Sequence, residues 1–448
     1  MKKCDEIVVL GAAESGTGAA VLAKKKGFKV FVSDKGAIKT IYKSVLKHFE
    51  IDFEEGDHDL HRILSAKEVI KSPGIPDSIP LMESIRKKNI PVISEIEFAS
   101  RFTSAKMICI TGSNGKTTTT LLLGHILKTA GIKVGIAGNV GKSFAWQVAN
   151  DDKEVYVLEL SSFQLDGMYE FKADISILLN ITPDHLDRYK NNLENYINSK
   201  FKILQNQSKN DAFIYCYDDP IITTELAKRK VEVNHFPFSL KALNIENGAY
   251  ISDRKLIIKH NKKEFNMTLE QLALQGKHNV YNSMAAGVAA KLMEIRNETI
   301  KQCLSDFQNI AHRLEYAGSV HGISFINDSK ATNINSTWYA LESLEKPIIW
   351  IAGGIDKGND YNFIKSLVKE KVKAIVCLGI DNKKLHAEFG DDVELIVNTK
   401  SASEAVQAAY QIAQKGETVL LSPACASFDL FENYEDRGNQ FKKAVNNL

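Results

Sequence analysis

The stretch MICITGSNGKTTTT, at residues 107–120, constrains the fold more than any other part of the chain. Its apolar start at residues 107–110 predicts a buried strand, and the pattern from Lys116 predicts a helix that continues to Gly131. A strand, a glycine-rich turn, Lys-Thr and a helix form the arrangement that binds nucleotide phosphates. Backbone N–H groups and the positive end of the helix hold the anion there.

This loop predicts an ATP or GTP site. Lys116 is expected to reach the terminal phosphates, and the Thr117 hydroxyl can ligate Mg²⁺. The loop departs from the complete pattern, because Ile110 stands where the first glycine should be. The alternative is a polar turn with a solvated lysine, but the flanking strand and helix favour phosphate binding. The predicted nucleotide ligands are Gly112, Ser113, Asn114, Gly115, Lys116, Thr117 and Thr118.

Composition excludes several classes of protein. A chain of 448 residues holds about three domains of ~150 residues each. A net charge of +2 gives no electrostatic reason to expect nucleic acid or an anionic membrane as a partner. No window approaches the ~18 apolar residues of a membrane span, and the N-terminal apolar run is too short for a signal peptide. Six scattered cysteines without a C-x-x-C pair predict reduced thiols, so we expect a cytoplasmic protein.

The first 95 residues predict a Rossmann-like domain. A strand at residues 7–10, a glycine-rich turn, a helix and a strand at residues 28–32 form a βαβ unit, with Asp34 after the second strand. Ala13 replaces the middle glycine of the dinucleotide fingerprint, so an NAD site is doubtful. The turn could bind another nucleotide-like ligand or be purely structural. Gly74 fits a simple turn, and residues 57–61 (DHDLH) fit a polar loop better than a metal site.

The central region, residues 96–308, predicts further strands whose carboxyl ends carry polar residues. Glu159 ends one strand, and His185 follows the strand at residues 175–181. Ligands of doubly wound sheets lie at these ends, so both residues could reach a Mg²⁺ beside the phosphate loop. The alternatives are a solvated carboxylate and a loop histidine, and an imidazole is an unusual Mg²⁺ ligand. From its spacing alone, Lys200 is a surface lysine and Asn279 a helix-start residue.

Residues 309–448 predict a second Rossmann-like α/β unit. Strand-like runs at residues 323–326, 348–352, 374–378 and 418–421 alternate with helical segments. Loops in this unit carry Arg313, Lys330 and Lys357, which suit anionic ligands but are also common surface residues. The predicted fold is therefore α/β in three domains, with a central domain built on a parallel or mixed sheet of the phosphate-loop ATPase type.

Taken in order, the motifs resemble those of the Mur ligases, the ATP-dependent amide-bond enzymes of cell-wall precursor synthesis. The motifs are the phosphate loop, LELSSFQL, NITPDHLDR, Tyr196-x-x-x-Lys200, GKHNVYN, HRLE, INDSKATN, GGIDKG and SPACASFD, and they span nearly the whole chain. DSKATN and SPACASFD resemble the branch of the family that adds D-glutamate. The shared core would also fit sister ligases and folylpolyglutamate synthases.

The resemblance implies roles that spacing could not assign. Lys116, His185 and Lys200 would be catalytic, with Lys200 carbamylated by CO₂ so that it becomes a metal ligand. Thr117 and Glu159 would hold one Mg²⁺, and His185 and Lys200 a second. ATP would also meet Asn279, Arg313, Asp328 and Lys330. The UDP-substrate would meet Ser15, Thr17, Asp34, Gly74 and Asn139. Glu14 departs from the family pattern, because it places a carboxylate in the loop that should face a diphosphate. D-glutamate would meet Thr332, Lys357, Ser427, Phe428 and Tyr434.

The implied substrates are ATP, UDP-N-acetylmuramoyl-L-alanine and D-glutamate, joined through an acyl phosphate by a monomeric enzyme. Water must be kept from that intermediate, so closure of the third domain onto ATP is expected. A sister ligase with another amino acid is the nearest alternative. A nucleotide-dependent switch would hydrolyse ATP slowly without forming an amide, and it leaves Lys200, DSKATN and SPACASFD unexplained. A dehydrogenase fits less well still.

Overall fold

The computed structural model describes residues 6–184, 186–274, 276–307, 311–345 and 347–448, with only the backbone for Asn335. The chain divides into two compact units. Unit 1 contains residues 1–273 and 279–307, and unit 2 contains residues 274–278 and 308–448. Three β-sheets are formed by the described residues, two in unit 1 and one in unit 2.

The first sheet of unit 1 is parallel, with the strand order β3-β2-β1-β4-β5. Its strands are β1 (Glu6–Leu10), β2 (Lys29–Asp34), β3 (Asp52–Glu55), β4 (Glu68–Lys71) and β5 (Val92–Ile93). Its helices are α1 (Glu14–Lys25), α2 (Thr40–His48), α3 (Leu60–Ile63), α4 (Pro80–Lys87) and α5 (Glu95–Ser100). An acidic first turn and a basic last turn suit the dipole of α1.

The second sheet of unit 1 is mixed, with the order β14-β13-β12-β11-β10-β9-β6-β8-β7. Its strands are β6 (Lys106–Thr111), β7 (Val134–Gly138), β8 (Val155–Glu159), β9 (Ile175–Leu178), β10 (Ala212–Cys216), β11 (Asn234–Ser239), β12 (Gly248–Ser252), β13 (Lys255–His260) and β14 (Lys263–Thr268). Strands β12, β13 and β14 form an antiparallel meander at one edge. The remaining strand pairs are parallel, which places the loops after β6, β7, β8 and β9 at one end of the sheet.

Seven helices of the described ranges accompany the strands of this sheet. They are α6 (Lys116–Thr129), α7 (Phe144–Asn150), α8 (Ser162–Asp166), α9 (Leu193–Phe201), α10 (Pro220–Lys228), α11 (Lys277–Leu292) and α12 (Asn297–Asp306). Short 3₁₀ turns span Leu186–Tyr189, Lys202–Leu204 and Leu269–Gln271. One buried cluster includes Val9 of β1, Phe98 of α5, Phe144 of α7 and Leu158 of β8. The first two sheets therefore share apolar packing within unit 1.

Unit 2 contains the third sheet, with the order β15-β16-β20-β17-β18-β19. Its strands are β15 (Glu315–Val320), β16 (Ile323–Asn327), β17 (Ile348–Ala352), β18 (Val372–Leu378), β19 (Leu395–Thr399) and β20 (Thr418–Leu421). Its helices are α13 (Ile334–Ser343), α14 (Asn362–Lys371), α15 (Lys383–Phe389), α16 (Ala402–Ile412) and α17 (Tyr434–Asn446). Only β15 runs antiparallel to its neighbour among the described pairs of this sheet. Fully buried strands such as β17 explain the continuous apolar runs in the sequence.

The predicted α/β fold with three sheets is confirmed, with differences at element ends. The helix predicted to continue to Gly131 ends at Thr129. Helix α9, which carries Lys200, ends at Phe201 and is followed by a 3₁₀ turn. The alanine-rich helix begins at Lys277, so Asn279 and Asn282 lie inside its first turns. In the segment 57–61, the Asp59 side chain caps α3 and His58 Nδ1 contacts Ser33 Oγ at 2.6 Å, as expected of a polar loop. No helix in the described ranges is long and apolar enough to cross a membrane.

Candidate active site

The phosphate loop lies between β6 and α6, as the sequence predicts. Gly112 has a φ of +154°, and Gly115, the N-cap of α6, has a φ of +82°. A residue with a side chain at position 115 would hold this backbone conformation only with strain, and its Cβ would lie 2.3 Å from Asn282 Oδ1. Lys116 Nζ donates to the carbonyl oxygens of Gly112 (2.7 Å) and Ser113 (2.8 Å), so the lysine lies against its own loop. Thr117 and Thr118 are buried in the first turn of α6.

Residues after β9 support the loop. Asn180 Oδ1 accepts a hydrogen bond from Asn114 N–H at 2.8 Å, and its Nδ2 donates to Asn114 O at 3.1 Å. Ser113 Oγ donates to Thr182 O at 2.8 Å and lies 3.1 Å from the Tyr196 hydroxyl. Asn180 was not among the predicted site residues. It lies two residues beyond the end of β9, and its pairing with Asn114 is a long-range contact that the sequence pattern does not reveal.

Lys200 is not a surface lysine, because its side chain is only 1% exposed. Its Nζ donates to Gly112 O at 2.8 Å, the same carbonyl that accepts from Lys116, and lies 4.6 Å from the centre of the Tyr196 ring. Burial lowers the pKa of the Lys200 ammonium well below its ordinary value, and the charge of Lys116 lowers it further. This setting therefore favours the neutral, nucleophilic form of the amine over the ammonium form.

Glu159 lies at the end of β8 and is 1% exposed. Its Oε1 accepts a hydrogen bond from Asn139 Nδ2 at 2.8 Å, while Oε2 is buried and has no hydrogen-bond partner among the described residues. A buried carboxylate oxygen without a donor is costly unless a cation or donor meets it. This oxygen and the hydroxyl of Thr117 are hard oxygen donors of the kind Mg²⁺ prefers, so the residues present fit that ion. His185 lies outside the described residues.

Two asparagines of α11 belong to the same unit as the loop. Asn282 Oδ1 accepts from Thr119 Oγ1 at 3.2 Å, and Asn282 Nδ2 donates to Asn279 Oδ1 at 3.3 Å. Asn282 is therefore a packing partner of the phosphate loop, and it orients Asn279. Spacing alone predicted Asn279 to be an ordinary helix-start residue, and Asn282 belongs to the motif GKHNVYN.

Three of the residues predicted for a UDP-substrate, Ser15, Thr17 and Asp34, lie at or beside the turn after β1. Asp34 Oδ2 accepts from Ala12 N–H at 2.7 Å, and Oδ1 accepts from Gly36 N–H at 2.8 Å. Thr17 is buried and donates to Ala12 O at 3.1 Å, and Ser15 is half-buried in the first turn of α1. Gly74 is exposed in the turn after β4, and a side chain there would meet open space.

The side chain of Glu14 is directed away from the turn. Its Oε1 accepts a hydrogen bond from Ser143 N–H at 3.2 Å, at the start of α7. The same carboxylate hydrogen-bonds with Tyr42 and helps to raise the pKa of that phenol, after burial as the larger cause. The carboxylate that made the diphosphate contacts uncertain is therefore engaged by α7 and by Tyr42.

In unit 2, three candidate loops follow the neighbouring strands β16, β20 and β17. Asp328 is buried after β16, where Ser422 Oγ donates to it at 2.9 Å and Leu314 N–H at 3.3 Å. Burial raises the pKa of Asp328 to about 7, although the Ser422 hydrogen bond and the charge of Arg313 oppose this rise. His312 and Leu314, on either side of Arg313, have φ values of +65° and +41°. Such backbone strain in non-glycine residues concentrates at functional sites.

The residues predicted for D-glutamate occupy the same three loops and the start of α17. Lys330 Nζ lies 5.1 Å from the centre of the Tyr434 ring, and Ser329 Oγ donates to Tyr434 O at 2.8 Å. Ile355 and Ala426 exchange backbone hydrogen bonds, which joins the loop of Lys357 to that of Ser427. Ser427 is buried and Thr332 is half-buried, whereas Lys357 and Phe428 are exposed.

Arg437 of α17 organises these loops, although it was not among the predicted site residues. The side chain is 1% exposed, and it donates to Ser329 Oγ (3.0 Å), Ser329 O (2.8 Å) and Cys425 O (3.3 Å). Burial lowers the pKa of Arg437 to about 10. The one signal in the sequence is its helical spacing from Phe441 and Val445, which places an arginine on an apolar face.

The three sheets and the loop after β6 are typical of a nucleotide-binding α/β protein. The loops of unit 2 that carry Arg313, Lys330 and Lys357 form a second cluster suited to anionic ligands.

Models of three protein families match the chain. Residues 7–79 match the MurD N-terminal domain, residues 110–290 the Mur ligase middle domain, and residues 312–425 the glutamate ligase domain of Mur ligases. A protein of Bacteroides fragilis named UDP-N-acetylmuramoylalanine--D-glutamate ligase is 59% identical over 99% of both chains. A protein of the same name from Christiangramia forsetii is 55% identical over 99% of both.

Solved structures share the fold at lower identity. The UDP-N-acetylmuramate-alanine ligase of Thermotoga maritima aligns with a TM-score of 0.61 and 17% identity over 99% of both chains. The MurF ligase of the same organism, in complex with ADP, aligns with a TM-score of 0.62 and 12% identity over 100% of this chain and 99% of that one. This chain belongs to the Mur ligase family.

Proposed function

We infer that this protein is an ATP-dependent ligase that adds D-glutamate to UDP-N-acetylmuramoyl-L-alanine in peptidoglycan precursor synthesis. The observation that carries this conclusion is the 59% identity, over 99% of both chains, to a relative named for that reaction. The phosphate loop after β6 supplies the nucleotide site that such a ligase requires. The DSKATN and SPACASFD loops, which distinguish the D-glutamate branch, both lie at the carboxyl ends of neighbouring strands.

ATP binds the phosphate loop in this proposal. The N–H groups of residues 112–118 and the N-terminus of α6 hold its phosphates, and Lys116 turns from the carbonyls of Gly112 and Ser113 to the terminal phosphate. Asn279 meets the adenine, and Arg313, Asp328 and Lys330 contact the nucleotide from unit 2. Charge neutralisation by Lys116 assists transfer of the γ-phosphoryl group to the alanine carboxylate of the substrate.

Two Mg²⁺ sites complete the proposal. Thr117 and Glu159 would hold one ion, and His185 and a carbamylated Lys200 the other. Bound Mg²⁺ supplies positive charge that offsets the charge developing on the phosphates. The buried Oε2 of Glu159 supports the first site, and the lowered pKa of the Lys200 amine supports its reaction with CO₂. In that reaction the neutral amine forms a C–N bond to CO₂ and releases a proton, which leaves a carboxylate on the lysine.

The residues proposed to bind the UDP-substrate and those proposed to bind D-glutamate are in different units. Ser15, Thr17, Asp34 and Gly74 contact the UDP group and Asn139 the muramoyl-alanine end. Thr332, Lys357, Ser427, Phe428 and Tyr434 bind D-glutamate, whose two carboxylates explain the cationic loops. The amine of D-glutamate attacks the acyl phosphate, and phosphate leaves. We place the domain boundaries at residues 1–95, 96–308 and 309–448, and propose that the enzyme acts as a cytoplasmic monomer.

The test is a ligation assay with purified protein, ATP, Mg²⁺, UDP-N-acetylmuramoyl-L-alanine and labelled D-glutamate, followed by mass analysis of the product. L-glutamate, meso-diaminopimelate and L-lysine run in parallel. Product with D-glutamate alone is expected. Product with another amino acid would overturn the pocket assignment but keep the reaction class. ATP hydrolysis without any amide product would favour a nucleotide-dependent switch instead.

A further inference from the structure

Three side chains with metal-binding atoms meet on unit 1, away from the loops discussed above. His125 is on α6, and Cys303 and Asp306 are one turn apart on α12, which packs beside α6. One ligand atom from each residue, a ring nitrogen, the thiol sulfur and a carboxylate oxygen, lies within 4.8 Å of both others. None of these residues belongs to the motifs that point to the ligase reaction.

The cluster has a buried side and an open side. Cys303 is 0% exposed, whereas the side chains of His125 and Asp306 are 39% and 49% exposed. His125 Nε2 already lies 3.4 Å from Asp306 Oδ1, and its ring lies 5.6 Å from that of Phe307. A metal ion held here would have a fixed sulfur ligand beneath it and two adjustable ligands above. Water could occupy a fourth position on the exposed side.

The donor set distinguishes between metals. A thiolate, an imidazole and one carboxylate form a borderline-soft set that suits Zn²⁺ and related transition metals, whereas Mg²⁺ and Ca²⁺ prefer oxygen ligands. We propose that His125, Cys303 and Asp306 form a binding site for Zn²⁺ that joins α6 to α12. On binding, the Cys303 thiol loses its proton to solvent and its sulfur becomes a ligand.

Only small movements are needed to close the site. Tetrahedral Zn²⁺ with bonds of about 2.0–2.3 Å places its ligand atoms about 3.5 Å apart, so no separation has to shorten by more than about 1.3 Å. His125 and Asp306 can supply this change by rotation, because both are partly exposed. Cys303 needs no large shift, since its sulfur is buried and already lies within 4.8 Å of a ligand atom of each of the other two residues.

The site would act on the helix that carries the phosphate loop. Helix α6 begins with Lys116 and Thr117, and His125 lies about two and a half turns further along it. A Zn²⁺ ion shared with α12 therefore fixes the far half of this helix and stabilises unit 1. It does not touch the residues assigned to ATP, so metal binding is separable from ligase activity.

Cobalt titration provides the test, because Co²⁺ replaces Zn²⁺ and a thiolate ligand gives it a near-ultraviolet charge-transfer band. The intact protein, with saturating Mg²⁺ to block oxygen-rich sites, is titrated with Co²⁺ and then back-titrated with Zn²⁺. We expect one equivalent of thiolate-bound Co²⁺, displaced by Zn²⁺, and a higher Tm in Zn²⁺. Cys303→Ser should abolish the band, and His125→Ala and Asp306→Asn should weaken binding at least about tenfold.

Cys216→Ser is the matched control, because Cys216 is another buried free cysteine and lies in no such cluster among the described residues. It should keep the band. Each variant is checked for folding by circular dichroism and by D-glutamate ligation, which the changes at residues 125, 303 and 306 should leave intact. Absence of a thiolate band in the intact protein overturns the proposal, as does a band that survives Cys303→Ser. Absence of ligase activity in the wild-type protein, with normal Co²⁺ binding, would count against the proposed function alone.

Discussion

At the scale of one residue, the Lys200 amine is buried and forms no salt bridge with a carboxylate among the described residues. Lys200 donates to Gly112 O at 2.8 Å in a setting that lowers its pKa, so its protonated form is disfavoured. Carbamylation converts this amine into an anion that a metal ion can neutralise. We predict that Lys200→Ala lowers the ligation rate at least about 100-fold, as loss of a metal ligand does. Added short-chain carboxylates should restore part of the rate by occupying the space left.

Lys209→Ala is the control, because Lys209 is exposed and lies beyond the same helix. It should keep the full rate. Removing CO₂ and bicarbonate from the wild-type assay should lower the rate reversibly. A Lys200→Ala enzyme with normal activity would contradict the carbamate role.

Glu95 is a second buried titratable residue, and it predicts a pH dependence of stability. Ala145 N–H donates to its Oε1 at 2.8 Å and Ser143 Oγ donates to the same oxygen, but burial still raises its pKa from 4.5 to about 7. The folded state therefore holds a proton that the unfolded state loses between pH 4.5 and 7. Stability from this group is complete below pH 4.5 and is lost as the pH rises through 7.

Glu95→Gln removes this titration. Relative to the variant, the wild type should lose about 2–3 kcal/mol of unfolding free energy between pH 5 and pH 8. Urea unfolding of both proteins at the two pH values measures the difference, and other titrating groups cancel in the comparison. Equal changes in the two proteins would show that Glu95 ionises normally.

At the scale of elements, the two ends of α6 allow a matched pair of glycine substitutions. Gly115 before the helix and Gly131 after it have similar φ values, +82° and +86°. A side chain at Gly115 would lie 2.3 Å from Asn282 Oδ1, whereas one at Gly131 would have no atom within 4 Å. Gly131→Ala should therefore cost about 1 kcal/mol of stability and leave ATP affinity unchanged.

Gly115→Ala carries the same backbone cost and in addition displaces Asn282 or the phosphate loop. We expect ATP affinity, measured by calorimetry, to fall at least tenfold. If both variants bound ATP equally well, contact with Asn282 would not be what fixes the loop.

Elements that follow local patterns were predictable from the sequence. The phosphate loop, the βαβ turn at Asp34 and the strand-end loops of unit 2 lie where alternating strands and helices placed them. Long-range contacts were not predictable, because no periodicity encodes them. The hydrogen bond of Asn139 to Glu159, the burial of Lys200 beneath the loop and that of Arg437 between two loops all depend on how separate elements pack.

At the scale of the whole molecule, the proposed reaction needs residues of both units. Lys116 and Thr117 are in unit 1, whereas Lys330 and Thr332 are in unit 2. An acyl phosphate exposed to water would hydrolyse, so the proposed reaction has to exclude water from this intermediate during turnover. We predict that ATP and UDP-N-acetylmuramoyl-L-alanine together reduce the radius of gyration measured by small-angle X-ray scattering.

Each ligand alone should reduce the radius of gyration less than the two together, because closure is expected only when both substrates are bound. Lys116→Met, which lacks the group that reaches the terminal phosphate, serves as the control and should show a reduced response at equal ligand concentrations. In the structure Lys116 Nζ donates to the carbonyls of Gly112 and Ser113, and thermal unfolding checks that the variant is folded. Superimposable scattering curves with and without the two ligands would mean that water is excluded without movement of one unit toward the other.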